Sequence, residues 1–226
     1  MFPVDFSPRN RCKVRFIMKY SVLVFAAGLL LPAQHACAGS ATKETTEAVV
    51  ATPFDKGKFE LQLGTGAFTS FQSVKSSRPK ITDVDGVIRL GAMLYTPDAG
   101  GVLRGNCELM VDLYGAALVE GPRTGYGGAS LLLRYNFVPP LARCLPYFQI
   151  QAGGAYNDIY RDKVQRIFGR DIEFNLGGGL GLRWLCSDRC AFFLEGDYRH
   201  ISNCNTADRN TGLNSLGGFL GFSYFF

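Results

Sequence analysis

The sequence predicts an all-β protein, an eight-stranded antiparallel barrel that crosses a membrane with its strands. Three observations predict it. Eight segments of ten or more residues alternate apolar side chains with small or polar ones. The apolar members of all eight fall on one face, and the chain ends in Phe222-Ser223-Tyr224-Phe225-Phe226 with an aromatic in last place. Period-two alternation marks a strand, and the segments match the ~9 to 11 residues of a tilted transmembrane strand. Composition agrees: 27 glycines, 18 phenylalanines and 47% hydrophobic residues are too apolar for disorder and too rich in glycine for a helical bundle.

Two stretches without period precede the strands. Residues 1–38 read as a signal peptide: a basic region, the apolar run Ser21 to Leu31, Pro32, and the small-residue site Ala36-Cys37-Ala38, with cleavage after Ala38. The signal is also complete from Met18. Its 11 apolar residues fall short of the ~20 that span a bilayer, and Gln34-His35-Ala36 lacks the aliphatic residue expected before a lipidated Cys37. Residues 39–57, rich in Thr, Ala and Lys, form a lead-in, and the barrel occupies 58–226. The signal also explains the formal charge of +5. Removing its five cations and one anion from the totals of 24 and 19 leaves 19 basic and 18 acidic residues, too even a balance for a face that lives on phosphate contacts. Nucleic acid is excluded as a partner.

The strands follow in order. Phe59 to Phe71 sets Phe59, Leu61 and Leu63 against Glu60 and Gln62, and Asp83 to Tyr95 sets Ile88, Leu90 and Leu94 against Arg89. A compact turn, TPDAGG, leads to Cys107 to Val119, with Leu109, Val111 and Leu113 against Glu108 and Asp112. Gly127 to Val138 opposes Leu131, Leu133, Tyr135 and Phe137 to Arg134 and Asn136. After PPLARCLP, Tyr147 to Asn157 opposes Phe148 and Ile150 to Gln149 and Gln151. A longer connection, Tyr160 to Asp171, precedes Ile172 to Leu185, where Phe174, Leu176, Leu180, Leu182 and Trp184 face away from Asn175 and Arg183. CSDRC turns the chain into Cys190 to Asn203, and Leu213 to Phe226 closes the set. No segment sustains a 3.6-residue stripe. Gly177-Gly178-Gly179-Leu180-Gly181 superficially resembles a dinucleotide loop, but it lies inside an alternating strand with no helix after it.

A soluble lipocalin-like barrel would bury the apolar face and expose the polar one. The even strand count, the strand lengths and the aromatic terminus favour the inverse arrangement, with lipid outside and paired Arg and carboxylate groups within. The aromatic end resembles the assembly signal of outer-membrane barrels, which places the protein in the cell outer membrane with both termini periplasmic and the longer loops outside. An eight-stranded barrel is filled by side chains, which excludes a wide channel. Glu195 and Asp197 face the lumen and are expected to pair with Arg183 or Arg199. Of the five cysteines after Ala38, Cys186 and Cys190 are spaced for a bridge across a tight turn, Cys107 and Cys144 are a possible second pair near the same end, and Cys204 stands apart. One histidine in that stretch and no Cys-x2-Cys pair give no metal site, and no cofactor is implied.

Function is expected where a strand breaks its own pattern. Counting by twos along the seventh strand gives Phe192, Leu194, Gly196, Tyr198, His200 and Ser202 on the lipid-facing side, and counting back from Phe226 gives Phe222, Leu220, Gly218, Leu216 and Asn214. Two polar groups on an apolar wall cost desolvation unless they have a job. Ser beside His is the minimum for nucleophilic ester chemistry, because imidazole can take the hydroxyl proton and later return it to the leaving group. Asn214 can approach His200 from the neighbouring strand, and the Asn203 amide could donate to an oxyanion if the backbone turns there.

The stretch Tyr198-Arg199-His200-Ile201-Ser202-Asn203, followed by Asn210-Thr211-Gly212 and Asn214, resembles the outer-membrane lipid A 3-O-deacylases, or acyloxyacyl hydrolase-like proteins. About thirty residues carry the motif, and the eight-strand layout covers residues 39–226. The resemblance implies a hydrolase that removes an ester-linked acyl chain from lipid A (lipopolysaccharide). It implies His200 as general base, Ser202 as nucleophile, Asn203 in the oxyanion hole and Asn210 as its support. Family members carry a glutamate fourteen residues after the histidine, where this chain has Asn214. An amide accepts the imidazole N–H but brings no charge, and Asp208 in the same loop is an alternative acid. A non-catalytic barrel with a structural or surface-interaction role is the other class consistent with the sequence, which leaves a homodimer open.

Overall fold

The computed structural model describes residues 52–71, 80–98, 100–121 and 125–226; the signal peptide and most of the lead-in lie outside them. The strands are β1 (Phe59–Ser70), β2 (Thr82–Met93), β3 (Gly105–Glu120), β4 (Gly125–Phe137), β5 (Cys144–Asn157), β6 (Ile172–Leu185), β7 (Cys190–Ser202) and β8 (Leu213–Phe225). Each pairs antiparallel with the next. β8 returns to β1 through the register Glu60↔Phe225 to Ser70↔Ser215, so the sheet is a closed barrel without free edges. Closure satisfies every strand's backbone groups against a neighbour, which hydrocarbon surroundings demand. All eight expected strands are present, most with bounds moved by one to three residues.

The two faces divide as the alternation requires. Leu63, Ile88, Val111, Leu131, Ile150 and Phe222 are half or so exposed on the outside, while Glu60, Gln62, Arg89, Arg134 and Arg183 are almost fully buried inside. The lumen is filled by an ionic core. Arg89 bridges Asp112 at 2.9 Å and Glu195 at 2.7 Å, Arg183 pairs with Glu60 at 2.6 Å, and Tyr147 donates to Glu195 at 2.8 Å under the Arg134 guanidinium. Glu195 therefore pairs with Arg89 rather than with Arg183 or Arg199. Asp197 accepts from Gln149 Nε2 at 3.0 Å, and Arg199 pairs with Asp83 and Asp85. Parity sets the face of each charge, but the partner depends on height in the barrel and on reach across the lumen.

The two ends are stoppered differently. At the end where β1 begins and β8 finishes, Thr52 and Asp55 fold the described part of the lead-in into a turn that inserts Phe54 among Met93, Val138, Leu145, Ala191 and Phe225. At the other end the β5–β6 connection folds inward, and Ile159, Ile167 and Phe168 join Phe68, Tyr126 and Phe193 beneath it. The five described cysteines are unpaired. Cys107 lies opposite Tyr135 of β4 and Cys144 opposite Trp184 of β6, so β4 stands between the two thiols. The Cys190 carbonyl instead receives the Cys186 and Ser187 N–H groups, which closes the β6–β7 turn.

Candidate active site

β7 and β8 meet in a register that places His200 opposite Asn214 and Tyr198 opposite Leu216. Residues two apart on a strand share a face, so Tyr198, His200 and Ser202 stand in one outward row. The row lies at the end of the barrel beneath the β5–β6 and β7–β8 connections. His200 Nε2 is 2.9 Å from Ser202 Oγ, and His200 Nδ1 is 2.7 Å from Asn214 Oδ1. A carboxamide oxygen can only accept. With that oxygen toward the ring, the matching tautomer carries its proton on Nδ1 and turns the Nε2 lone pair to the serine hydroxyl. That is the arrangement in which imidazole can deprotonate the serine. All three side chains are half-buried on a wall whose neighbours include Phe174 and Leu176 of β6.

The connection after Ser202 is shaped by asparagines and left-handed backbone. Cys204 and Asn205 have φ of 52° and 61°, and Gly212 has φ of 68°. Gly212 passes so close to the imidazole that a Cβ there would lie 3.3 Å from His200 Cε1. Asn210 clasps the loop, accepting the Asn203 backbone N–H at Oδ1 (2.9 Å) and donating from Nδ2 to Asn205 Oδ1 (2.8 Å). The Asn203 side chain points into the barrel mouth, where Nδ2 donates to the Arg209 carbonyl at 2.9 Å and to Glu173 Oε1 at 3.4 Å.

His200, Ser202 and Asn214 are thus brought together, and Asn210 stands beside the residue that follows the serine. The Asn203 carboxamide is not in this cluster: the alternation that buries Ile201 and turns Ser202 outward runs one residue further, so the Asn203 side chain points inward and meets Glu173 and the Arg209 carbonyl. Asp208 is exposed on the loop, and the imidazole contact is made by Asn214. Three contributors escaped sequence reasoning. Tyr198, whose hydroxyl donates to Asn214 Oδ1 at 2.8 Å, was visible only as a member of the outward row. Arg209 donates to the carbonyls of Tyr160, Asp162 and Gln165 and fastens the two outer connections together. Glu173 receives the Gly169 and Arg170 N–H groups as well as Asn203. A shallow groove of about 590 Å³, lined in part by Gly115, Gly125, Tyr156 and Arg161, lies on β3, β4 and β5, away from these residues.

The family model described as lipid A 3-O-deacylase (PagL) matches residues 92–223, the span from the end of β2 to β8. Among solved structures, the outer membrane enzyme PagL superposes with a TM-score of 0.51 at 15% identity, over 73% of this chain and 98% of that one. Neisserial surface protein A (NspA) gives 0.47 at 15% identity over 75% and 98%, and the outer membrane protein OprG from Pseudomonas aeruginosa gives 0.43 at 16% over 78% and 99%. No curated protein matches the chain. At such identities a structural likeness speaks to the barrel alone.

Proposed function

The chain belongs to the lipid A 3-O-deacylase (PagL) family of ester hydrolases, and from that premise we propose that His200, Ser202 and Asn214 carry out the hydrolysis on the outer wall of an outer-membrane barrel. The observation that supports this most is the unbroken chain Ser202 Oγ, His200 Nε2, His200 Nδ1, Asn214 Oδ1, with links of 2.9 and 2.7 Å. A lipid A acyl ester in the outer leaflet lies beside the barrel, so a lipid-facing site meets its substrate without admitting it to the lumen.

Ser202 Oγ attacks the carbonyl carbon of the 3-O-linked acyl ester as its proton passes to His200 Nε2. The tetrahedral intermediate collapses by breaking the bond to the sugar oxygen, which takes the proton from Nε2 and leaves as the free hydroxyl. Water, deprotonated by the same nitrogen, then attacks the acyl-serine, releasing the fatty acid and restoring Ser202. The developing oxyanion needs donors. The Asn203 main-chain N–H follows the nucleophile, a position from which hydrolases commonly supply one. Asn210 Oδ1 occupies that N–H in the free protein. Rotation of the Asn210 carboxamide would leave two donors, Asn203 N–H and Asn210 Nδ2, converging on one oxygen. In this role Asn203 acts through its backbone and its side chain holds the loop.

A second reading has one observation in its favour. In Ser-His-acid hydrolases, exchanging the acid for its amide costs about 10⁴ in kcat, and Asn214 is such an amide, so a barrel that retains the layout without turnover is the competing class. Mass spectrometry of lipid A from cells with and without the protein decides between them. Loss of one acyl chain is expected with the unaltered protein and with neither Ser202→Ala nor His200→Ala, while both variants still run as heat-modifiable barrels. The double variant should be no worse than either single one, since the two groups act as a unit. Near-normal hydrolysis in either single variant would remove that residue from the mechanism.

A further inference from the structure

Resting on the reading of His200, Ser202 and Asn214 as the reacting set, we infer that Tyr198 is a positioning residue whose hydroxyl keeps the oxygen of the Asn214 carboxamide, rather than its nitrogen, turned toward the imidazole. The two ends of a carboxamide have nearly the same shape but opposite hydrogen-bonding character. Oxygen toward His200 Nδ1 requires Nδ1–H and leaves Nε2 able to accept the serine proton. Nitrogen toward Nδ1 requires the other tautomer, in which Nε2–H faces Ser202 and cannot accept. A carboxylate has no wrong end, whereas a chain with asparagine at this position needs something to choose.

Tyr198 is placed to choose. It sits diagonally across from Asn214, two residues before His200 on β7, and its O–H donates to Asn214 Oδ1 at 2.8 Å. Both donors therefore converge on the amide oxygen. Turning the amide over would present Nδ2–H to the phenol and strip the phenolic proton of its acceptor. Two side chains beside the ring on this face, Phe71, with ring centroids 6.1 Å apart, and Leu216, cannot accept. The Asn214 backbone is fixed independently, since its carbonyl receives the Phe71 N–H at 3.0 Å, so the orientation of the amide is the freedom that remains.

The chain has two histidines, His35 and His200, which makes the tautomer directly readable. In ¹⁵N-histidine protein extracted from outer membranes and carrying His35→Gln, nitrogen NMR in detergent micelles should show His200 protonated at Nδ1 alone. Adding Tyr198→Phe, which keeps the ring, should bring in the Nε2–H form. Hydrolysis of purified lipid A gives the second reading. Tyr198→Phe should lower kcat about five- to tenfold, the weight of one neutral hydrogen bond. In an Asn214→Glu background, where orientation no longer matters, the same change should cost less than roughly twofold. A purely structural tyrosine would cost the same in both backgrounds. An equal loss in both, or an unmixed Nδ1–H tautomer in Tyr198→Phe, overturns the assignment. Absence of hydrolysis in every protein would instead sink the esterase reading, with the NMR spectrum still deciding the role of Tyr198.

Discussion

In the proposed mechanism a neutral amide, Asn214, stands where better-known hydrolases place a carboxylate, and the proposed chemistry turns on it. It fixes the imidazole tautomer through a 2.7 Å contact but adds no charge to stabilise the imidazolium. Asn214→Ala should therefore lower kcat by about 10² or more by freeing the ring, with little effect on folding because the residue is half-buried near the rim. Asn214→Glu should be tolerated or raise activity, since near the rim the desolvation of a carboxylate is smaller than at mid-bilayer. Rates of lipid A hydrolysis by the three proteins check both. Equal rates for the unaltered protein and Asn214→Ala would shift attention to Asp208, and activity confined to Asn214→Glu would mark a site that has lost turnover. Gly212 offers an independent test: alanine there adds on the order of 1 kcal/mol of left-handed strain and a methyl 3.3 Å from His200 Cε1. Gly212→Ala should reduce kcat while the barrel remains heat-modifiable.

Among the elements, the outer connections depend on one another. Arg209 holds three carbonyls of the β5–β6 connection and offers its own to Asn203, the neighbour of Ser202. Arg209→Ala should free Tyr160 to Gln165, making Arg161 and Lys163 prompt sites of tryptic cleavage, and lower kcat through the loosened loop. Unchanged proteolysis would show that Ile167 and Phe168 alone anchor the segment. The strands themselves were legible because period-two alternation and turn clusters are local signals that one buried face reinforces. Alternation also placed His200 and Ser202 on one face, and the hairpin brought Asn214 to them. What lay beyond reading depends on contacts across the fold. Phe54 belongs to a lead-in without period yet stoppers the barrel, and Ile167 and Phe168 look like ordinary loop residues. Asn203 follows the strand's parity inward, but its partners Glu173 and Arg209 come from other elements, and Tyr198 reaches Asn214 diagonally rather than across a pair.

On the scale of the whole molecule, the lumen is an ionic solid rather than a passage. Removing one member of a buried charge cluster costs about 3–5 kcal/mol because its partners stay behind uncompensated. Arg89→Met strands Asp112 and Glu195, so the urea midpoint of unfolding should fall clearly. Its hydrolytic rate while folded should hold, since the reacting groups stand on the other side of the wall; a collapse of both together would tie the core to the site. The seam between first and last strands carries a different consequence. The Asn214 carbonyl is bonded by Phe71, just past the end of β1, while Thr211 in the approach to β8 is bonded to Arg166 of the β5–β6 connection. A chain in transit across the periplasm holds every reacting residue but not these bonds. In the proposed mechanism hydrolytic competence therefore arrives with the last stitch of the cylinder, and the chain stays latent until its barrel has closed.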